Sequence, residues 1–188
     1  MKRYGADRDK EIQRLLQEMP EEGFRLLFDV YHMQLCVYVV QLTDSFQLAE
    51  DIVQDFFVAF WERKYYRAIT GNFRSYLYTS VHNAALAALK KKKLVPMELL
   101  TGVPVEIPQE AVLEREELER QEKELMLKLE KLPKQEIAAI KAVILENKKC
   151  VEAALELGMS VNTLKTHLAR ALKKLRKDYH LSFLFYSF

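Results

Sequence analysis

The sequence predicts an all-α protein of two small helical domains joined by a flexible linker. Three observations lead there. Glycine and proline number only five each in 188 residues, too few turn-formers for a sandwich or barrel of many short strands. Apolar residues recur at steps of three and four, the spacing of one helix face. Prolines then concentrate in one stretch between two such patterned halves. With 49% apolar and 30% charged residues, the chain can bury a core, which excludes global disorder.

The elements follow in order. The opening MKRYGADRDKEIQRLL turns acidic and amphipathic where a secretory leader would carry its apolar stretch. A helix over 24–42 is predicted by Phe24, Leu27, Phe28, Tyr31, Leu35 and Tyr38 or Val39. A second, over 46–62, has a stripe of Ala49, Ile52, Val53, Phe56, Phe57, Phe60 and Trp61, with Glu50, Asp51, Gln54, Asp55 and Glu62 opposite. A third starts near Gly71-Asn72 and runs through Tyr76, Leu77, Val81, Ala85 and Leu89 into Lys90–Lys93. These form one bundle, domain 1–93. Residues 94–110 hold Pro96, Gly102, Pro104 and Pro108, a density no helix accepts; the connection is read as 94–120. A charged helix over about 111–132 stops before Pro133. Domain 121–188 contains three further units, 134–147, 149–157 and 160–178. Gly158 suits a left-handed helix stop and Ser160 an N-cap, so Gly158-Met159-Ser160 is the turn of a helix-turn-helix.

Several function classes are excluded. Cys36 and Cys150 lie far apart inside apolar helical patterns, which suits a reducing cytoplasm rather than a disulfide framework. His32, His82, His167 and His180 are scattered without a second ligand at metal spacing. No run of about 18 apolar residues predicts a membrane span. There is no phosphate-cradling glycine loop, nucleophile elbow or HExxH. Asp51 and Asp55 are one turn apart but lack a third ligand. The expectation is a cytoplasmic non-enzyme without cofactor, metal or small-molecule substrate.

The net charge of +2 hides a segregation. From Glu18 to Glu62 nine acids face one base, Arg25; from Arg63 to Lys93 eight bases face no acid. Tyr65, Tyr66, Phe73, Tyr76 and Tyr78 are interleaved with those bases. Bases follow a phosphate backbone through counterion release, and aromatic faces stack on unpaired bases. The combination points to single-stranded or opening nucleic acid; the alternative is a solvated face with core aromatics, and Tyr78 is expected inward. The last helix is a second basic element. Leu164, Leu168, Ala171, Leu172 and Leu175 are its apolar stripe. Asn162, Thr163, Lys165, Thr166, His167, Ala169 and Arg170 occupy the surface near its start, with Lys173 and Lys174 further along. That is the end a recognition helix presents to a major groove.

Two segments carry a family resemblance. AEDIVQDFFVAFWER (Ala49–Arg63) with FRSYLYTSVHNAALAALKKKK (Phe73–Lys93) resembles region 2 of extracytoplasmic-function sigma factors of the sigma-70 family. LEKLPKQEIAAI (Leu129–Ile140) with CVEAALELGMSVNTLKTHLARALKKLRK (Cys150–Lys177) resembles their region 4, in the family's order. The resemblance implies a dissociable subunit of bacterial RNA polymerase. Its first domain would dock on the beta-prime clamp helices through Glu50, Asp51, Gln54, Asp55, Glu62 and Trp61, and open the minus-ten element. The family's base-capturing loop corresponds to Lys64–Asn72, giving Lys64, Tyr65, Arg67 and Asn72, then Phe73, Arg74, Tyr76, His82, Asn83 and Lys90. Its second domain would dock on the beta flap and read the minus-thirty-five element. An anti-sigma factor is a further implied partner. The chain departs from the family at His82-Asn83, where Arg-Asn is usual, and at Asn147-Lys148-Lys149, where Gly-x-Ser is usual. The tail LSFLFYSF (181–188) is apolar, suited to covering the region 4 core or meeting a partner. The competing readings are a one-component helix-turn-helix regulator with residues 1–93 as sensor, and a protein-binding adaptor. The adaptor leaves the basic stretch and the recognition helix unexplained.

Overall fold

The computed structural model describes residues 4–69, 72–91, 120, 123–124, 126–146 and 148–176. Every regular element among them is helical, as the sequence predicts. The proline-rich stretch 94–110, Lys92-Lys93, Asn147, Lys177 and the tail 181–188 lie outside the described residues. By compactness the chain divides into residues 1–43 with 48–108, and residues 44–47 with 109–188.

The first unit contains α1 (Tyr4–Glu18), α2 (Pro20–Thr43), α3 (Phe46–Glu62) from its third residue on, and α4 (Phe73–Lys91). α2 begins at Pro20, a turn before the predicted start. Proline fits a first helical position because its missing N–H has no partner there anyway. Glu21 and Glu22 complement the positive helix end; neither feature shows in apolar spacing. The join at Met19 is tight, with Gly23 N–H reaching the Met19 carbonyl at 3.0 Å. A side chain at Gly23 would put its Cβ 2.4 Å from the Leu16 backbone nitrogen, so glycine is what lets α1 lie against α2.

Ile12 and Leu16 of α1, Leu27, Tyr31, Leu35 and Val39 of α2, Val53, Phe57 and Phe60 of α3, and Leu77, Val81 and Ala85 of α4 are buried. By length and composition alone α2 is apolar enough to cross a membrane, at mean hydropathy 1.2, although it holds no unbroken apolar run of that length. Leu27, Tyr31 and the run Leu35–Val40 are buried, where α2 packs on both α1 and α4, while Phe28 is exposed.

In the second unit, helical residues 126–129 precede a turn and Pro133. α5 (Lys134–Ile140) runs into a single π turn, Lys141–Leu145, where the Glu146 N–H reaches back five residues to the Lys141 carbonyl at 2.9 Å. A uniform helix over 134–147 was predicted. The widened turn coincides with three consecutive buried residues, Ala142, Val143 and Ile144, more than one α-helical stripe offers. α6 (Cys150–Glu156) and α7 (Val161–Arg176) complete the unit, and α5 and α6 both pack on α7. Leu129, Ile140, Val143, Ala153, Leu164, Leu168, Leu172 and Leu175 form the core.

Candidate nucleic-acid interface

Three surfaces carry the residues singled out from the sequence. The first is the outer face of α3. Asp51, Gln54, Asp55 and Glu62 are exposed and Glu50 is half-buried. Val58 stands among them, 55% exposed, an apolar residue within an acidic field on a helix with no basic residue. The sequence reading passed over it; its place one turn after Gln54 and one before Glu62 would have found it. Trp61 sits at the rim, half-buried, its ring 4.9 Å from Phe24 and 5.9 Å from Tyr66.

The second surface is the loop after α3 and the start of α4. Lys64 has a positive φ of 53°, a left-handed conformation that turns the chain sharply. A 3-10 turn over Tyr65–Arg67 follows. Tyr66 is buried beside Phe60 and Trp61. Lys64 and Arg67 are exposed, and Tyr65 is half-buried with its hydroxyl accepting from Arg63 Nη1 at 3.0 Å. The Gln17 amide donates to the Tyr66 carbonyl at 3.0 Å. Asn72 is exposed and caps α4, accepting from the Ser75 N–H at 2.9 Å.

Three residues expected on this surface lie inward instead. Phe73 is buried edge-on to Tyr31. Arg74 is 9% exposed, its guanidinium 6.0 Å from the centre of the Tyr78 ring. His82 is 1% exposed, and its Nδ1 lies 2.9 Å from the Tyr38 hydroxyl. The cause is geometric: 74, 78 and 82 repeat every four residues beside the core stripe 77, 81 and 85, so they face α2. Burial raises the Tyr78 hydroxyl to a pKa of about 12, against the lowering effect of Arg74. Burial, aided by the hydrogen-bonded Asp9 carboxylate, pushes Tyr31 up as well. What α4 does present is Asn83 and Lys90, exposed, and Tyr76, half-buried and raised by that burial.

The third surface is the helix-turn-helix. Gly158 has φ +63°, and Ser160 caps α7, its Oγ accepting from the Thr163 N–H at 3.1 Å. Both match the sequence reading. Upstream, where the turn departs from the expected Gly-x-Ser, the Glu152 carboxylate accepts from the Lys149 N–H at 3.3 Å. Lys148 bridges Glu146 and Glu156 at 2.7 and 2.5 Å, and those hydrogen bonds raise its pKa. On α7 the predicted stripe is buried. Asn162, Thr163, Thr166, Arg170, Lys173 and Lys174 are exposed; Lys165, His167 and Ala169 are half-buried. The Thr166 hydroxyl donates to its own helix at the Asn162 carbonyl. Lys174 is not spare charge for a phosphate, since its ammonium donates to both oxygens of Glu136 at 2.9 Å. That carboxylate is 4% exposed and needs a compensating cation.

Among the described residues no three His, Cys, Asp or Glu side chains gather as a metal site. A family model described as sigma-70 region 2 matches residues 27–95, and one described as sigma-70 region 4 matches residues 122–175. No curated protein matches the chain.

Proposed function

The chain belongs to the sigma-70 family as an extracytoplasmic-function sigma factor acting in transcription initiation, and from that premise we propose how its surfaces divide the work. The acidic face of α3 docks on the beta-prime clamp helices of core RNA polymerase. Asp51, Asp55 and Glu62 steer it there, and Val58 gives the face an apolar anchor. The loop from Lys64 to Arg67, with Asn72, Tyr76, Asn83 and Lys90 on and beside α4, holds the melted minus-ten strand. Cations follow its phosphates and half-exposed rings stack on its bases. Phe73, Arg74 and His82 serve this surface from behind, by fixing α4 on α2. The second unit docks on the beta flap and lays α7 in the major groove of the minus-thirty-five element. Thr163, Lys165, Thr166, Ala169 and Arg170 face base edges and phosphates there. The factor works in the cytoplasm, restrained by an anti-sigma partner.

The observation that carries this reading is α7 itself: one side fully buried, the other polar and cationic, its N-terminus fixed by Gly158 and Ser160. Run-off transcription with purified core polymerase and a genomic template library tests it. Discrete promoter-dependent transcripts are expected with core and factor together. Replacing both Asp51 and Asp55 by Arg is expected to abolish co-purification with core while circular dichroism stays helical. Tight promoter-specific gel shifts without core would favour the one-component regulator.

A further inference from the structure

We infer that α1 is a brace for the strand-holding loop and that Gln17 is the positioning residue through which it acts. Among the described residues the loop's other ties are local to its own end of α3, through Tyr66 on Phe60 and Trp61 and Tyr65 on Arg63. Of its residues from Lys64 to Ile69, only Tyr66 has a fully buried side chain. Its backbone bonds from Lys64 to Trp61, from Arg67 to Lys64 and from Ala68 to Tyr65 are all short-range. None uses the Tyr66 carbonyl, and that is the group Gln17 binds. The bond joins residues 49 apart in sequence, so it fixes the turn against a different helix rather than against itself.

The brace is stiff. Ile12 and Leu16 are fully buried, and the missing side chain at Gly23 brings the α1 backbone against α2 at the turn next to Gln17. Asp9, two turns earlier, is hydrogen-bonded to Tyr31, whose ring meets Phe73 at the start of α4. α1 thus packs directly on the 3-10 turn and is linked through Tyr31 to Phe73 at the start of α4. It also lies N-terminal to residues 27–95, where the region 2 match falls. Lys64 and Arg67 flank Tyr66, so the angle at which these two cations meet a strand depends on where the Tyr66 backbone is held.

The inference rests on the reading of this loop as a strand-holding element, and the experiment separates the two. Holoenzyme is reconstituted from core polymerase and the full chain. It selects from bubble templates with a fixed duplex upstream element and a randomised minus-ten strand, and the retained templates are sequenced. Wild type is expected to enrich a defined strand sequence. Gln17→Met, which keeps the shape but cannot donate, is expected to lower that enrichment by about fivefold, the worth of one hydrogen bond. Affinity for core stays unchanged. Gln17→Lys, which restores a donor of similar reach, is expected to recover the enrichment. Equal enrichment by wild type and Gln17→Met would overturn the brace. So would a Gln17→Lys variant as impaired as Gln17→Met, which would mark a packing role only. A wild-type holoenzyme that binds core yet enriches no strand sequence would overturn the strand-holding reading itself.

Discussion

Single residues in this chain do work that their type alone does not announce. Lys174 lies on the recognition helix, yet its ammonium is committed to the buried Glu136 carboxylate. Lys174→Met is expected to cost about 1–3 kcal/mol, the penalty for a buried polar group left unmet, read as a lower midpoint in thermal unfolding. His32 is a second case. Burial holds its imidazole below the ordinary value of 6.5, against a smaller opposing effect of Glu50. Above about pH 6.5 the ring is neutral in both folded and unfolded chains and imposes no penalty. Below it the unfolded chain takes up the proton first, so stability falls as pH falls toward the folded value. His32→Leu is expected to narrow the drop in melting temperature between pH 7.5 and pH 5.5; an identical drop in both proteins would exclude His32 as a source. Neither assignment could be read from sequence. The inward turn of Arg74 and His82 lies in their four-residue spacing beside the 77, 81 and 85 stripe, which polar residue type obscures, whereas the Lys174 partner is 38 residues away in sequence, where no local pattern reaches.

At the scale of elements, legibility tracked amphipathicity. α3 and α7 have one apolar and one polar side, and both formed as read from their three-and-four spacing. α1 is short of apolar residues, and its significance lies in one backbone approach at Gly23 and one amide on a distant carbonyl. The π turn after α5 was not legible because a continuous apolar run fits either helix type until its packing is known. The caps were legible because they are chemical rather than topological. Ser160→Ala is expected to cost about 1 kcal/mol through loss of the Thr163 N–H acceptor. Gly158→Ala is expected to cost about the same from backbone strain alone, since nothing lies within 4 Å of a Cβ there. Denaturant midpoints measure both, and a loss of several kcal/mol for Gly158→Ala would mean that the turn itself rearranges.

At the scale of the whole molecule, charge is segregated along the chain. The acids of α3 and the bases that follow Glu62 are adjacent in sequence, and under the proposed reading they address partners of opposite sign. Binding to duplex promoter by holoenzyme is expected to weaken steeply with salt, as counterion release demands. Lys165→Ala or Arg170→Ala is expected to lower that salt dependence by about one ion if the residue holds a phosphate, or to cost about 1–3 kcal/mol at one base if it reads an edge. Titration over ionic strength and single-base variants separates the two outcomes; no change in either would remove the residue from the interface. One consequence follows from the position of Trp61. It is the chain's single tryptophan, and its indole stacks on Tyr66 at the root of the loop while sitting at the rim of the acidic helix. The free protein therefore has an optical reporter built in, and under the proposed reading the ultraviolet emission of that one indole responds to a single strand laid on the loop without any attached dye.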